Sequence, residues 1–189
     1  AEQFGIDMTD RADELATVLS EIKQLESSGF QFEGAEASLE LLMRKDLKKK
    51  TRFFRLVEFR VIDEKPSEDE HSRSEASVMI EGPDGKPEHT VASGNGPVNA
   101  LDSALRKALS KFYPELEQVQ LHDYKVRVLA GLEGTGSLVR VLIESGDGQS
   151  RWGTVGVSHN IVEASWQALV DSITYKLHKD RGAVGKRAS

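Results

Sequence analysis

Five histidines are the residues of this sequence that could most readily bind a metal or transfer a proton: His71, His89, His122, His159 and His178. No two of them have the HxH or HExxH spacing that presents two imidazoles to one ion. His122 and Asp123 are neighbours, but adjacent side chains of a strand point to opposite faces. The sequence also contains neither a GxSxG nucleophile elbow nor a P-loop. It therefore predicts no catalytic residue and no metal site.

Two predicted helix starts have the chemistry to bind an anion. The first is the glycine turn Gly94-Asn95-Gly96-Pro97, where Pro97 takes the favoured first helical position and the glycines let a ligand approach the backbone. The second has Asn160 as its cap and Glu163 at capping-box spacing. Free N–H groups at a helix N-terminus suit a carboxylate or a phosphate. On its own, the glycine turn is more often a tight strand-to-helix connection.

Two similar sets of elements must position these turns. Strands are predicted at 53–62, 77–81 and 88–92, with a helix over 97–113. The order then recurs, with strands at 122–130, 138–144 and 152–157 and a helix over 161–178. Asp84-Gly85 and Asp147-Gly148 each supply a hairpin turn between neighbouring strands.

The second set repeats the first at the level of single residues. When 90–105 is shifted by 64 positions, identical residues coincide at Thr90/Thr154, Val91/Val155, Val98/Val162, Ala100/Ala164, Ala104/Ala168 and Leu105/Leu169. Two βββα units with matching helix starts predict pseudo-two-fold symmetry. Each three-stranded sheet has one face that its own helix covers only in part, so further packing is expected there.

Two helices are predicted before the repeat. Residues 9–28 carry apolar residues at helical spacing, with Thr9 as a cap and Gly29 as a stop. A second helix over 35–44 completes a hairpin, and a basic run over 44–55 follows it. Residues 63–75 are acidic and predict a solvated loop. The predicted fold is α+β. It has a helical linker subdomain at 1–50, a domain at 51–180 with repeats 51–116 and 117–180, and a flexible tail at 181–189.

Composition excludes several functional classes. The chain has 189 residues and a net charge of −6, which argues against a general nucleic-acid binder. Because it has no cysteine, it has no disulfide framework and no thiolate zinc site, which fits a reducing cytoplasm. No apolar run approaches the ~18 residues of a membrane span.

Several long motifs resemble one family, the C-terminal regulatory domain of isopropylmalate and citramalate synthases. They are GNGPVNAL at 94–101, LHDYKVR at 121–127, GTVGVS at 153–158 and IVEASWQAL at 161–169. Upstream, GFQFEGAEAS at 29–38 resembles the helical subdomain of the citramalate branch. The resemblance covers roughly residues 5–180.

The resemblance implies a regulatory domain that forms a homodimer and binds the amino acid produced by its pathway. That effector is isoleucine for the citramalate branch and leucine for the isopropylmalate branch. It also implies that catalysis, a divalent metal and acetyl-CoA belong to a TIM barrel outside this chain. No synthase activity is therefore expected from the chain itself.

Effector contacts carried over from the family fall on the glycine turn, on the strand with the DYKVRV sequence and near the second helix start. They are Gly94, Gly96, Val98, Asn99, Leu121, Tyr124, Val128, Val157 and His159. Leu121 and Tyr124 need a bend or bulge to face one pocket. His159 departs from the family pattern, because many relatives have proline there.

Three other functions are compatible with parts of the pattern. The first is a module that only dimerises and has lost effector sensing, although the intact glycine turn and Tyr124 weigh against it. A strand-strand-strand-helix order occurs in readers of double-stranded RNA, but Arg106, Lys107 and Lys111 are too few to track phosphates. A free-standing enzyme is the third alternative, and an acetyl-CoA consumption assay would test it.

Overall fold

The computed structural model describes residues 2–4, 6, 12–46, 52–129 and 136–187. The helices are α1 (Ala12–Ser27), α2 (Glu36–Asp46), α3 (Pro97–Ser110) and α4 (Ile161–Arg187). The strands are β1 (Arg55–Glu64), β2 (Arg73–Glu81), β3 (Pro87–Gly94), β4 (Gln120–Val128), β5 (Val139–Gly146) and β6 (Arg151–Ser158). Short 3-10 helices cover Glu2–Phe4 and Pro114–Gln118. This composition confirms the α+β class.

The chain forms two compact units. The first unit comprises 52–120, and the second comprises 1–51 together with 121–189. Each contains one antiparallel three-stranded sheet followed by a helix, with strand orders β1-β2-β3 and β4-β5-β6. The hairpin α1–α2 belongs to the second unit.

In the first unit, α3 covers one face of the sheet. Ala76, Val78 and Ile80 alternate along β2 and are fully buried, as an amphipathic strand requires. The apolar stripe of α3 meets them with Ala100, Leu101, Ala104, Leu105, Ala108 and Leu109. On the opposite face of the sheet, the side chains are mostly polar and solvent-accessible.

In the second unit, β6 lies between two helical layers and is buried on both faces. Trp152 and Thr154 face α4, where the Trp152 indole donates to Ser172 Oγ at 3.0 Å. Val155 and Val157 face the hairpin and pack with Phe32 and Ala35. A Cβ on Gly153 would lie 1.8 Å from the Gly34 carbonyl oxygen, so only glycine lets the hairpin approach this closely. The hairpin therefore supplies the second covering layer that this sheet needs.

Equivalent hydrogen bonds occur in the two units. The Thr90 hydroxyl donates to the Ala104 carbonyl at 2.7 Å, and Thr154, 64 positions later, donates to Ala168 at 2.8 Å. Both predicted hairpin turns contain a glycine in the left-handed region, at Gly85 and Gly148. The sequence repeat is therefore also a repeat of specific helix-to-sheet contacts.

Several predicted boundaries differ from the structure. The acidic loop is shorter than 63–75, since β1 extends to Glu64 and β2 begins at Arg73. Pairing between β1 and β2 holds these strand ends in the sheet. Asp63 lies opposite Ser74, and its carboxylate accepts a hydrogen bond from the Ser74 hydroxyl at 2.5 Å. α3 ends at Ser110, and α4 continues to Arg187, past the predicted end at 178 and into the predicted tail. Thr9, the predicted cap of α1, and Ala130 lie outside the described residues.

The two hairpin helices lie close to their predicted positions: α1 ends one residue before the predicted 28, and α2 begins one residue after the predicted 35 and ends two residues after the predicted 44. α1 ends at Ser27, after which Gly29 has a φ of 100° and Phe30 N–H donates to the Leu25 carbonyl at 3.0 Å. Part of the predicted apolar stripe of α1 remains exposed, since only Val18 is fully buried while Leu15 and Leu19 face solvent. None of the helices that the structure describes is long and apolar enough to cross a membrane.

Candidate functional site

The glycine turn of the first unit leaves the start of α3 open. Gly96 is the N-cap residue, and within the part of the chain that the structure describes no side chain accepts a hydrogen bond from the first helical amides. A Cβ on Gly96 would meet nothing within 4 Å, whereas one on Gly94 would lie 2.3 Å from the Ala100 nitrogen. Asn99 Oδ1 accepts from the Asn95 N–H at 3.0 Å and fixes the turn. Gly94 therefore serves helix packing, and Gly96 leaves the helix amides accessible.

The second helix start is already satisfied by its own side chains. Asn160 Oδ1 accepts from the Val162 and Glu163 amides at 2.8 and 3.3 Å, which confirms the predicted cap. The capping-box interpretation of Glu163 is corrected, because its carboxylate accepts from Ser158 Oγ at 2.5 Å. The amides that could bind an anion are thus engaged at α4 and uncapped at α3.

An open cavity of about 870 Å³ adjoins the glycine turn, and all its lining residues lie in the first unit. Gly94 and Asn95 form one wall, and the ends of β1 and β2 form another. A volume of this size lies within the range of small-molecule sites, roughly 300–1,000 Å³.

The predicted contacts on β4 are spread along the strand. Tyr124 faces α4, where its hydroxyl lies 2.9 Å from Ser165 Oγ. Val128 follows on the same face of β4 and is 63% exposed. Leu121 lies on the opposite face and about 23 Å from Val128 along the strand, at ~3.3 Å per residue. Tyr124 and Val128 can therefore line one surface, which Leu121 does not share within this unit.

Val157 and His159 lie near the end of β6 in different environments. Val157 faces the hairpin and is buried against Phe32 and Ala35. His159 is exposed, and its Nδ1 lies 2.7 Å from the Gly136 carbonyl oxygen. Of the nine predicted contacts, Gly94, Gly96, Val98 and Asn99 lie in the first unit and the other five in the second.

A part-buried polar contact joins the hairpin to α4 within the second unit, and sequence analysis did not anticipate it. The Ser38 hydroxyl on α2 donates to Asp171 Oδ2 on α4 at 2.6 Å and accepts from the Val155 amide at 3.1 Å. Burial raises the pKa of the Asp171 carboxyl to about 6, and the hydrogen bond from Ser38 opposes this only in part. These residues are 133 positions apart, so no local pattern could have paired them.

A second buried carboxylate, Asp147, ties the β5–β6 turn to α4. Lys176 and Lys179 each donate to Asp147 Oδ2 at 2.9 Å, and the Gln149 and Ser150 amides donate to Oδ1. Burial alone would raise the pKa of Asp147, but these hydrogen bonds outweigh it and hold the pKa well below its usual range. These hydrogen bonds hold the β5–β6 turn against α4, so we interpret the network as structural.

The described residues do not supply a metal centre. Across 2–4, 6, 12–46, 52–129 and 136–187, no three His, Asp or Glu side chains converge as a ligand set would require. The divalent metal that the family resemblance implies therefore finds no ligand set here, and no reaction step through it is derived for this chain.

The described residues form two βββα units, and the first unit leaves the start of its helix open at a glycine turn. Residues 33–177 match the family described as the LeuA allosteric (dimerisation) domain. The chain belongs to this family.

Relatives with assigned names agree with this membership. The chain is 58% identical over 187 residues to the (R)-citramalate synthase of Geobacter sulfurreducens, covering 99% of this chain and 35% of the relative. It is 50% identical to the (R)-citramalate synthase of Aquifex aeolicus over 95% of this chain and 34% of the relative. A 2-isopropylmalate synthase of Xanthomonas campestris is 40% identical over 62% of this chain and 22% of the relative. The chain thus spans about a third of the length of the citramalate synthases it matches.

Proposed function

We propose that this chain is the regulatory and dimerisation domain of a cytoplasmic (R)-citramalate synthase, and that it binds isoleucine as a feedback inhibitor. The catalytic barrel, with its divalent metal and acetyl-CoA, lies outside the chain in this proposal. The strength of the similarity to the citramalate synthases, compared with the shorter match to a 2-isopropylmalate synthase, favours isoleucine over leucine.

The uncapped start of α3 is the observation that carries the effector site. A helix N-terminus without a side-chain cap offers amides and a partial positive charge to a carboxylate. At the equivalent start of α4, the Val162 and Glu163 amides already donate hydrogen bonds to Asn160 Oδ1. An amino-acid carboxylate bound at Gly96 would take the place that a cap occupies in the other repeat.

Exposed apolar side chains on an edge strand support the dimerisation part of the proposal. β4 is an outer strand of its sheet, and Val126 and Val128 are both solvent-exposed. Edge strands with exposed apolar residues readily pair with another chain. A second copy of this chain is the partner proposed.

A substitution at the helix start tests the effector site directly. Gly96→Asp should cap α3 and repel the effector carboxylate, so isothermal titration should show a large loss of isoleucine affinity without loss of thermal stability. The matched control is Asn160→Asp at the equivalent position of the second repeat. This substitution keeps a cap on α4, so the variant should bind isoleucine like the unmodified chain. Equal binding by Gly96→Asp and the unmodified chain would rule out this helix start.

The identity of the effector follows from the same titration. Saturable heat with isoleucine, but not with leucine or valine, is the expected result. A preference for leucine would assign the chain to the isopropylmalate branch. Absence of heat with all three, in a chain that sediments as a dimer, would leave dimerisation as its function.

A further inference from the structure

We propose that β4 pairs with β4 of a second copy in one antiparallel register, in which a two-fold axis passes between the two Tyr124 residues. This inference rests on the proposed function, because it specifies how the dimer named there forms. The two sheets would join edge to edge into one six-stranded sheet, with β4 and its copy at the centre. Because the same strand supplies both sides, the contact is isologous and closes after two copies.

The backbone groups of alternate residues on β4 point towards the outer edge of the sheet. Leu129 N–H donates to the Leu138 carbonyl at 2.8 Å, so in an antiparallel ladder the odd-numbered residues turn their N–H and C=O groups towards β5. The Tyr124 amide fits this alternation, since it donates to the side chain of its neighbour, Asp123 Oδ1, at 2.9 Å. The even-numbered residues of β4 are therefore the ones whose backbone can pair with another strand.

Charge favours one register among those that this alternation allows. A pair centred on position 123 places Asp123 opposite Asp123 of the second copy, and pairs centred on 125 or 126 place Lys125 opposite Lys125 or Arg127. A pair centred on Tyr124 instead places Asp123 opposite Lys125 of the second copy, and does so twice. Opposite charges in directly facing positions stabilise a sheet, whereas like charges destabilise it. Both side chains are accessible at the edge, with 43% of Asp123 and 72% of Lys125 exposed.

The same register uses the whole strand. β4 runs from Gln120 to Val128 with Tyr124 as its middle residue, so every residue of the strand faces a partner only in this register. Val126 then lies opposite His122 of the second copy, and Val128 lies opposite the first residue of the strand. Val126 and Val128 are 43% and 63% exposed in the single chain, and the pairing would shield both. Overlap, charge and apolar burial thus favour the same register.

Cysteine cross-linking tests the register, because the unmodified chain contains no cysteine. In Tyr124→Cys, two cysteines would face each other with their Cα atoms ~5.5 Å apart, a separation that a disulfide spans. Mild oxidation should therefore convert most of the dimer into a disulfide-linked form on a non-reducing gel. The matched control is His122→Cys, whose two cysteines would lie about 13 Å apart along the strands and should not cross-link.

Charge reversal tests the same register in a chain that keeps Tyr124. Asp123→Lys and Lys125→Asp should each weaken the dimer about tenfold or more in sedimentation equilibrium at low ionic strength, since each creates two facing pairs of like charges. Asp123→Lys makes the net charge of −6 less negative, and Lys125→Asp makes it more negative. General repulsion between copies would therefore shift the two variants in opposite directions. The double variant, Asp123→Lys with Lys125→Asp, should restore the dimer.

The outcomes separate this register from dimerisation itself. Cross-linking of Tyr124→Cys alone, with weakening by both charge reversals and recovery in the double variant, would support the register. If the chain sediments as a dimer but His122→Cys cross-links as well as Tyr124→Cys, or neither charge reversal weakens the dimer, the register is overturned and the proposed function stands. If the unmodified chain is monomeric at every concentration, the inference fails together with the dimerisation part of the proposed function.

Discussion

The buried contact between Ser38 and Asp171 predicts that a neutral isostere stabilises the second unit at neutral pH. Asp171→Asn keeps an oxygen that can accept a hydrogen bond from the Ser38 hydroxyl, and it removes a charge from a half-buried position. In the unmodified chain that charge exists in the folded state above pH 6, where burial has raised the pKa of Asp171 to about 6 from an ordinary 3.8. The gap between these values corresponds to ~3 kcal/mol.

The direction in which pH changes the free energy of unfolding depends on whether the folded or the unfolded state binds a proton at Asp171. Below pH 3.8 the carboxyl is protonated in both states, and between pH 3.8 and 6 chiefly in the folded state. The free energy of unfolding therefore falls by up to ~3 kcal/mol as pH rises through this window, and it does not recover above it. Asp171→Asn should be ~1–3 kcal/mol more stable than the unmodified chain at pH 7, after allowance for a weaker hydrogen bond, and about equal to it at pH 4.

Tryptophan fluorescence during urea unfolding measures this difference selectively. Both tryptophans of the chain, Trp152 and Trp166, are buried in the second unit on β6 and α4. Glu26→Gln, a neutralised exposed carboxylate on α1, is the matched control and should leave the pH dependence unchanged. A stability gain from Asp171→Asn that is the same at pH 4 and pH 7, or a loss at pH 7, would refute the reasoning.

Three further experiments, with five substitutions between them, test contacts inside the two repeats. Gly94→Ala should cost ~2 kcal/mol or more in the first unit, because its Cβ would meet the backbone of Ala100, while Gly96→Ala should be tolerated; circular dichroism melts compare the two. Thr90→Val and Thr154→Val each remove the same buried hydrogen bond and should each lose ~1 kcal/mol in urea titrations, so very unequal losses would contradict their equivalence. Asp147→Asn should lose ~3 kcal/mol at pH 7 by fluorescence, since Lys176 and Lys179 lose a buried anion; this stabilisation holds above the ordinary pKa and disappears as pH falls through the lowered pKa.

Local sequence patterns predicted the order and type of the principal elements. Alternating burial along β2 and the apolar stripe of α3 are properties of neighbouring residues, so their periodicity was visible without a structure. The ends of elements were less predictable. β1 and β2 extend into the acidic stretch because cross-strand pairing, at Asp63 and Ser74, holds polar residues that favour a loop when considered alone.

Contacts between distant segments were not predictable from one sequence. The sequence did indicate that each sheet had an uncovered face, but not that the hairpin would cover that face of the second sheet. That choice depends on Gly153, which allows the backbone at Gly34 to approach, and on Arg140, which binds the loop after α1. The same limit applied to the site. The glycine turn was recognised by its motif, whereas the absence of a side-chain cap on α3 and the contact of Ser38 with Asp171 became visible only in the structure.

The two repeats share the same helix-to-sheet hydrogen bond, but their outer surfaces and helix starts make different contacts. In the second repeat, Arg140 and Val157 hold the hairpin and Asn160 satisfies the start of α4. The equivalent positions in the first repeat are Glu75, Ser93 and Gly96. Glu75 and Ser93 are exposed, and Gly96 has no side chain that could cap α3. Filling these positions as in the second repeat would satisfy the helix start and cover the sheet, which favours stability. Because the start of α3 has no side-chain cap, the proposed effector site belongs to the first repeat, and the attachment of the hairpin belongs to the second repeat.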